Sequence, residues 1–127
     1  MNVRKEENGD VIVDKPWGSE RITYQDHHYI TKILTINPGE RTSLQYHISK
    51  TETVIVLSGK LILHKLPSKN ASKETEISVH ERLEHFTFAP MEIHRLEASI
   101  EGPVLLLECS TNHLNDVVRL SDDYSRS

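Results

Sequence analysis

Residues 39–59 read GERTSLQYHISKTETVIVLSG, and this stretch decides the fold. Successive side chains of a β-strand point to opposite faces, so a strand over Thr42 to Ile48 sends Arg41, Ser43, Gln45 and His47 one way and Thr42, Leu44, Tyr46 and Ile48 the other. In a closed β-structure the first set faces an interior that should be apolar. Buried polar groups cost free energy unless they are paired, and a bound ion with its ligand would pair them. Glu52 follows after a short turn containing Ser49 and Lys50 and opens the apolar run Val54, Ile55, Val56, Leu57, so its carboxylate can face His47 from the mouth of the next strand.

The surrounding sequence repeats this texture. Short segments rich in Ile, Val, Leu, Thr and aromatics alternate with turn residues, as in an all-β sandwich or barrel. Expected strands are Glu20 to Tyr24, Tyr29 to Ile36, Thr42 to Ile48, Thr53 to Leu57, Lys60 to Leu66, Thr75 to Val79, His85 to Phe88, His94 to Ala98 and Val104 to Cys109. Asn37, Pro38 and Gly39 form a tight turn, and Ser58 with Gly59 is expected to join its flanking strands as a hairpin. The polar stretch Pro67 to Lys73 reads as an exposed hairpin tip. Residues 1–15 form an expected N-terminal arm whose Val11 to Val13 run can cover a sheet edge, and 16–127 form one domain. The tail from Asp116 onward is polar apart from Val117 and Val118.

With 127 residues, 36% hydrophobic and 27% charged, the chain suits one globular domain rather than a disordered one. The formal charge of −4 and the scattered basic residues argue against nucleic acid as a partner. No apolar run is long enough to cross a bilayer and no signal-peptide pattern precedes the domain, so no membrane association and a cytoplasmic location are expected. Cys109, the only cysteine, cannot form an intramolecular disulfide and is expected to be a small buried apolar residue. Trp17 reads as a packing anchor. Of the eight histidines, His27, His28, His80, His85 and His113 fall near turns and read as surface residues, while His64 shares a strand face with Lys60 and Ile62.

Gly39, five residues, Gln45, Tyr46, His47, four residues, Glu52, six residues and Gly59 match the first cupin motif in every interval, with glutamine where most cupins carry histidine. Ala89 to Ala98 (APMEIHRLEA) resembles the second motif, which places His94 as the last ligand. Within the cupins, PWGSE (16–20), NPGERTSLQYH (37–47), LSGKL (57–61), HRLE (94–97) and DVVRLSDDYSR (116–126) resemble, in order, the isomerase domain of type II phosphomannose isomerases. The sequence departs from that pattern at Ile48, Ser49, Lys50 and Thr53, and at Met91, Glu92 and Ile93. No glycine-rich nucleotide-binding signature occurs, so nucleotidyl transfer is not expected of these residues.

The resemblance implies a small cupin, a double-stranded β-helix or jelly-roll barrel, with one divalent metal ion on Gln45, His47, Glu52 and His94. Two imidazoles, a carboxylate and an amide oxygen suit Zn²⁺, Mn²⁺, Co²⁺, Ni²⁺ or Fe²⁺. It further implies aldose–ketose isomerisation of a sugar phosphate through a cis-enediol, with the metal polarising the carbonyl. Lys32, Glu52 and Arg41 are the catalytic candidates; Arg41, Lys50, Arg95 and Glu97 are the substrate-binding candidates. Against these roles, Arg41 also reads as a surface charge after a turn, lysines are more often solvated than catalytic, and Arg95 faces away from His94 on a regular strand. The rival readings are a non-catalytic sugar-binding cupin and a metal-dependent oxygenase. A homodimer paired through strand edges is expected.

Overall fold

The structure is a computed structural model that describes residues 2–66, 75–113 and 115–126. Among the described residues, twelve strands follow one another: β1 (Val3–Lys5), β2 (Val11–Lys15), β3 (Gly18–Gln25), β4 (Tyr29–Ile36), β5 (Leu44–Tyr46), β6 (Glu52–Ser58), β7 (Leu61–Lys65), β8 (Glu76–His80), β9 (His85–Phe88), β10 (His94–Ala98), β11 (Val104–Thr111) and β12 (Val118–Ser121). Antiparallel pairing arranges them in a seven-stranded sheet, β1-β2-β3-β4-β11-β6-β9, and a five-stranded sheet, β12-β5-β10-β7-β8. Among the described residues, no helix is long and apolar enough to cross a membrane. The expected tip at Pro67 to Lys73 lies outside the described residues.

The inner faces follow from alternation. Ile30, Leu34 and Ile36 on β4, Val54 and Val56 on β6, and Val104 and Leu106 on β11 are buried together with Leu61, Leu63, Leu96 and Ala98 from the other sheet. All but Ile30 join one apolar cluster with Trp17 and Phe88. The same parity also turns charged groups inward, because Lys32 lies between Ile30 and Leu34, Glu108 between Leu106 and Ser110, and Glu52 two residues before Val54. Lys32 is paired in register with Glu108, and Glu108 with Val54. The strands are therefore apolar toward one end of the barrel and polar toward the other, and the site forms at the polar end.

Trp17 is 4% exposed and belongs to the core, as its size demands. Its neighbour Gly18 has φ +155°, and a Cβ there would stand 1.9 Å from the Thr35 carbonyl oxygen. Only glycine lets this segment lie against β4 and bring the indole inward.

Several expectations need correction. The turns at 37–39 and 58–59 carry Gly39 and Gly59 at positive φ, but each links strands of different sheets, so Ser58–Gly59 is a crossover rather than a hairpin. The alternation read across 41–47 holds only through Leu44–Tyr46, since Thr42 and Ser43 lie outside the strand and Arg41 makes only an isolated bridge to Glu97. Residues 3–5 and 11–15 form β1 and β2, and β2 pairs with β3 of the same chain. The polar tail supplies β12, which pairs with β5. Cys109 is exposed, because it shares the outward parity of Leu105 and Leu107 on β11.

Candidate metal centre and cavity

His47 lies just beyond β5, Glu52 begins β6, and His94 begins β10 opposite Gln45 of β5. His47 and His94 present Nε2 to the same carboxylate oxygen, Glu52 Oε1, at 3.2 and 2.8 Å. One ligand atom from each of the three lies within 4.8 Å of the others, and all three side chains are buried. Phe88 stacks flat on the His94 ring, with 4.0 Å between centroids and 4° between planes, which fixes the ring's orientation.

The partners of the other ring nitrogens decide which chemistry this cluster suits. His47 Nδ1 meets the backbone carbonyl of Asp116, and His94 Nδ1 meets that of Glu92 at 3.0 Å. A carbonyl oxygen can only accept, so each Nδ1 carries a proton and donates it. In the neutral rings both Nε2 atoms are then bare lone pairs aimed at a carboxylate oxygen, and neither has a hydrogen bond of acceptable geometry. Three electron-rich atoms converging in a buried space suit a cation, and the Nδ1 contacts supply the backing that metal-bound histidines ordinarily have. The donor set thus fits a borderline divalent metal. Gln45 lines the adjoining cavity, and its Oε1 accepts a 2.6 Å hydrogen bond from the Ser43 hydroxyl.

The cluster borders a cavity of about 280 Å³. At the metal end, Lys50 Nζ lies 3.2 Å from Glu52 Oε2 and 3.4 Å from Glu108 Oε2. Lys32 Nζ lies 3.1 Å from Glu20 Oε1 and 4.0 Å from Glu108 Oε2. Lys15 from β2, Arg119 from β12, whose backbone pairs with Gln45, and Arg126 also line the wall, with Arg126 gripped by Asp122 at 2.9 and 3.0 Å. Charges of both signs alternate from Glu20 through Lys32, Glu108 and Lys50 to Glu52.

Burial pushes the Glu52 carboxyl upward, but Nε2–H groups of His47 and His94 in their protonated rings, together with the Lys50 ammonium, outweigh it and hold the group well below the usual carboxylate range; with neutral rings a bound cation takes the place of those donors. Burial together with the Glu52 charge pushes Glu108 up to about 7, against the opposing pull of Lys50 and Lys32. Burial pulls Lys50 down, yet Glu108 and Glu52 leave it raised. Lys15 is lowered by burial, and Lys32, Arg126 and Arg119 add like-charge repulsion that Glu20 only partly offsets. The site therefore holds an ionised carboxylate for a cation and a second carboxyl that exchanges its proton near neutral pH.

Of the residues singled out from sequence, the cavity gathers Lys32, Gln45, His47, Lys50 and Glu52, with His94 against Glu52. It does not include Arg41, Arg95 or Glu97. Arg41 pairs with Asp123 at 2.7 and 3.1 Å. Arg95 donates to the carbonyls of Thr42 and Ser121, and Glu97 accepts from His64 at 2.7 Å if that ring nitrogen carries the proton. For Arg95 and Glu97 the regular alternation of β10 is the cause, since His94, Leu96 and Ala98 take the inward positions. Sequence reasoning missed Lys15, Glu20, Glu108, Asp116, Arg119 and Arg126. Glu108 was legible, because it shares parity with Val104 and Leu106; the others depend on how the ends of the chain fold back.

Residues 2–122 match the family described as mannose-6-phosphate isomerase C-terminal. The chain is 28% identical over 123 residues to a mannose-1-phosphate guanylyltransferase of Salmonella muenchen, a match covering 94% of this chain and 24% of that protein. It thus spans about a quarter of the length of that relative. Among solved structures, the capsular polysaccharide assembling protein CapF of Staphylococcus aureus superposes with TM-score 0.71 at 16% identity, covering 88% of this chain and 34% of that one. A Klebsiella pneumoniae protein with a double-stranded β-helix domain superposes with TM-score 0.65 at 12% identity, covering 92% and 89%. These likenesses establish the fold as a small double-stranded β-helix of the cupin type.

Proposed function

The chain belongs to the mannose-6-phosphate isomerase C-terminal family, and from that premise we propose that it is a metal-dependent isomerase interconverting the aldose and ketose forms of a sugar phosphate. The observation that carries this reading is the buried His47–Glu52–His94 cluster opening onto a cavity walled by lysines, arginines and a carboxyl of raised pKa. His47, Glu52 and His94 hold one divalent ion, with the Gln45 amide oxygen beside them. When bound, such an ion polarises a sugar carbonyl and stabilises the oxyanion that develops on enolisation. Glu108 is the group that takes a proton from one carbon and returns it to the next, because its carboxyl exchanges protons near neutral pH. Lys50 and Lys32 flank Glu108 and hold its orientation.

The phosphate lies against the basic part of the cavity wall. Lys15, Arg119 and Arg126 come together there with like-charge repulsion that an anion relieves. Replacing Lys15 by methionine is expected to raise KM for a phosphorylated sugar by about 10- to 100-fold, the equivalent of one lost charge-assisted hydrogen bond, with little change in kcat. Steady-state kinetics on the variant checks this. The protein acts in the cytoplasm as a homodimer, and light scattering at working concentration is expected to give twice the chain mass; a monomeric mass contradicts the dimer.

The test of the activity is interconversion of mannose 6-phosphate and fructose 6-phosphate by chelator-treated protein, with and without added Zn²⁺, Mn²⁺, Co²⁺, Ni²⁺ or Fe²⁺. Turnover restored by a metal supports the reading. Sugar binding without turnover under every metal overturns it in favour of a non-catalytic sugar-binding cupin.

A further inference from the structure

Asp116 lies in the segment between β11 and β12, flanked by the cavity-lining residues Asn115 and Val117. Its carboxylate closes on the turn after β5. Oδ1 accepts the N–H of Ile48 at 2.9 Å, and Oδ2 accepts those of Ser49 at 2.7 Å and Lys50 at 3.0 Å. Three successive backbone N–H groups converging on one anion form a nest, and a carboxylate is the side chain that fills it. The Asp116 carbonyl accepts the Nδ1–H of His47. One residue thereby grips both ends of the run 47–50. At one end is an imidazole facing Glu52; at the other is Lys50, whose ammonium bridges Glu52 and Glu108.

Among the described residues, the two central side chains of the turn contribute no packing of their own. Ile48 and Ser49 are exposed, and the Ile48 side chain packs no core. His47 has one further backbone tie, its carbonyl accepting the Met91 N–H at 2.7 Å. Desolvation raises the Asp116 carboxyl, but the three N–H groups outweigh it and hold it below the usual range.

We infer that Asp116 is a positioning residue for the metal centre, fixing the His47 tautomer through its carbonyl and the placement of His47 and Lys50 through its carboxylate. The inference rests on the reading of His47 as a metal ligand, and it is independent of which reaction follows. It also explains how the C-terminal segment takes part in a site whose ligands all lie elsewhere.

The test uses the full chain, Asp116→Ala and Asp116→Asn, with Zn²⁺ as the titrant in calorimetry and amide hydrogen exchange of residues 48–50 as a second readout. Zn²⁺ affinity is expected to fall by about 10-fold in Asp116→Ala, toward the low end of the loss typical of outer-shell changes, because alanine keeps the carbonyl behind His47 Nδ1 and removes only the carboxylate that holds the turn in place. Exchange at 48–50 speeds up in the same variant. Asp116→Asn keeps an acceptor oxygen without the charge and is expected to fall between the two. Because asparagine conserves size, it keeps the test meaningful if the alanine variant does not fold. Zn²⁺ affinity within twofold of wild type in both variants, while wild type binds the ion, overturns the inference. Wild type that binds no Zn²⁺ overturns the metal reading instead, and wild type that binds Zn²⁺ without isomerising sugar phosphates overturns only the activity.

Discussion

Replacing Glu52 by glutamine is expected to abolish turnover and to weaken divalent metal binding by about 100- to 3,000-fold. Breaking a buried charge arrangement by removing one partner costs about 3–5 kcal/mol, and each 1.4 kcal/mol is a factor of ten. Glu52 is 3% exposed, accepts from Lys50 at 3.2 Å through one oxygen and meets both histidines with the other. Glutamine keeps the volume and loses the charge, so its effect separates electrostatics from packing. Calorimetric titration measures the affinity loss. Thermal melting gives a second view: a ligand that binds only the folded chain raises the melting temperature, so metal is expected to stabilise wild type and leave Glu52→Gln unmoved. Equal metal stabilisation of both proteins contradicts the assignment.

Replacing Glu108 by glutamine is expected to lower kcat by about 10²- to 10⁴-fold, the range associated with loss of a general acid–base group, while metal affinity stays near wild type. The combination distinguishes a proton-transfer role from a ligand role. Stability carries a further mark of the same group. The carboxyl faces Glu20 and Lys32 from β3 and β4 and Lys50 and Glu52 from the turn before β6 and from the neighbouring strand β6, and it is raised to about 7. A carboxyl raised in the folded state binds its proton more tightly there than in the unfolded chain, where about 4.3 is ordinary. Its favourable contribution is therefore full below about pH 4.3 and is lost as pH rises through about 7. Glutamine does not titrate, so the stability of Glu108→Gln relative to wild type is expected to rise between pH 5 and pH 8. Denaturant melts at several pH values measure this difference, and a flat or falling difference contradicts the raised carboxyl.

Much of the barrel could be read from the residues because period-two alternation is a local signal. Tyr29 to Ile36, His85 to Phe88 and His94 to Ala98 coincide with β4, β9 and β10. Gln45, His47 and Glu52 lie within one short run, so their spacing was enough to suggest a shared site. His94 required the resemblance, since its place opposite Gln45 is a long-range pairing. Arg41 was drawn toward the site by extending strand alternation through Thr42 and Ser43, where the strand has not yet begun. The polar end of the cavity was least legible. Lys15 and Arg126 come from opposite ends of the chain, and no local period foretells that β2 and the segment after β12 close over the same space. Alternation on β11 did carry Glu108, whose charge disguised an inward position, and the same parity turns Cys109 outward.

The most direct test of the metal centre is anomalous diffraction from crystals grown with Zn²⁺. One strong peak is expected within about 2.0–2.2 Å of His47 Nε2, His94 Nε2 and a Glu52 carboxylate oxygen. A well-ordered site with no peak among these three atoms, at a Zn²⁺ concentration that saturates the protein in solution, contradicts it.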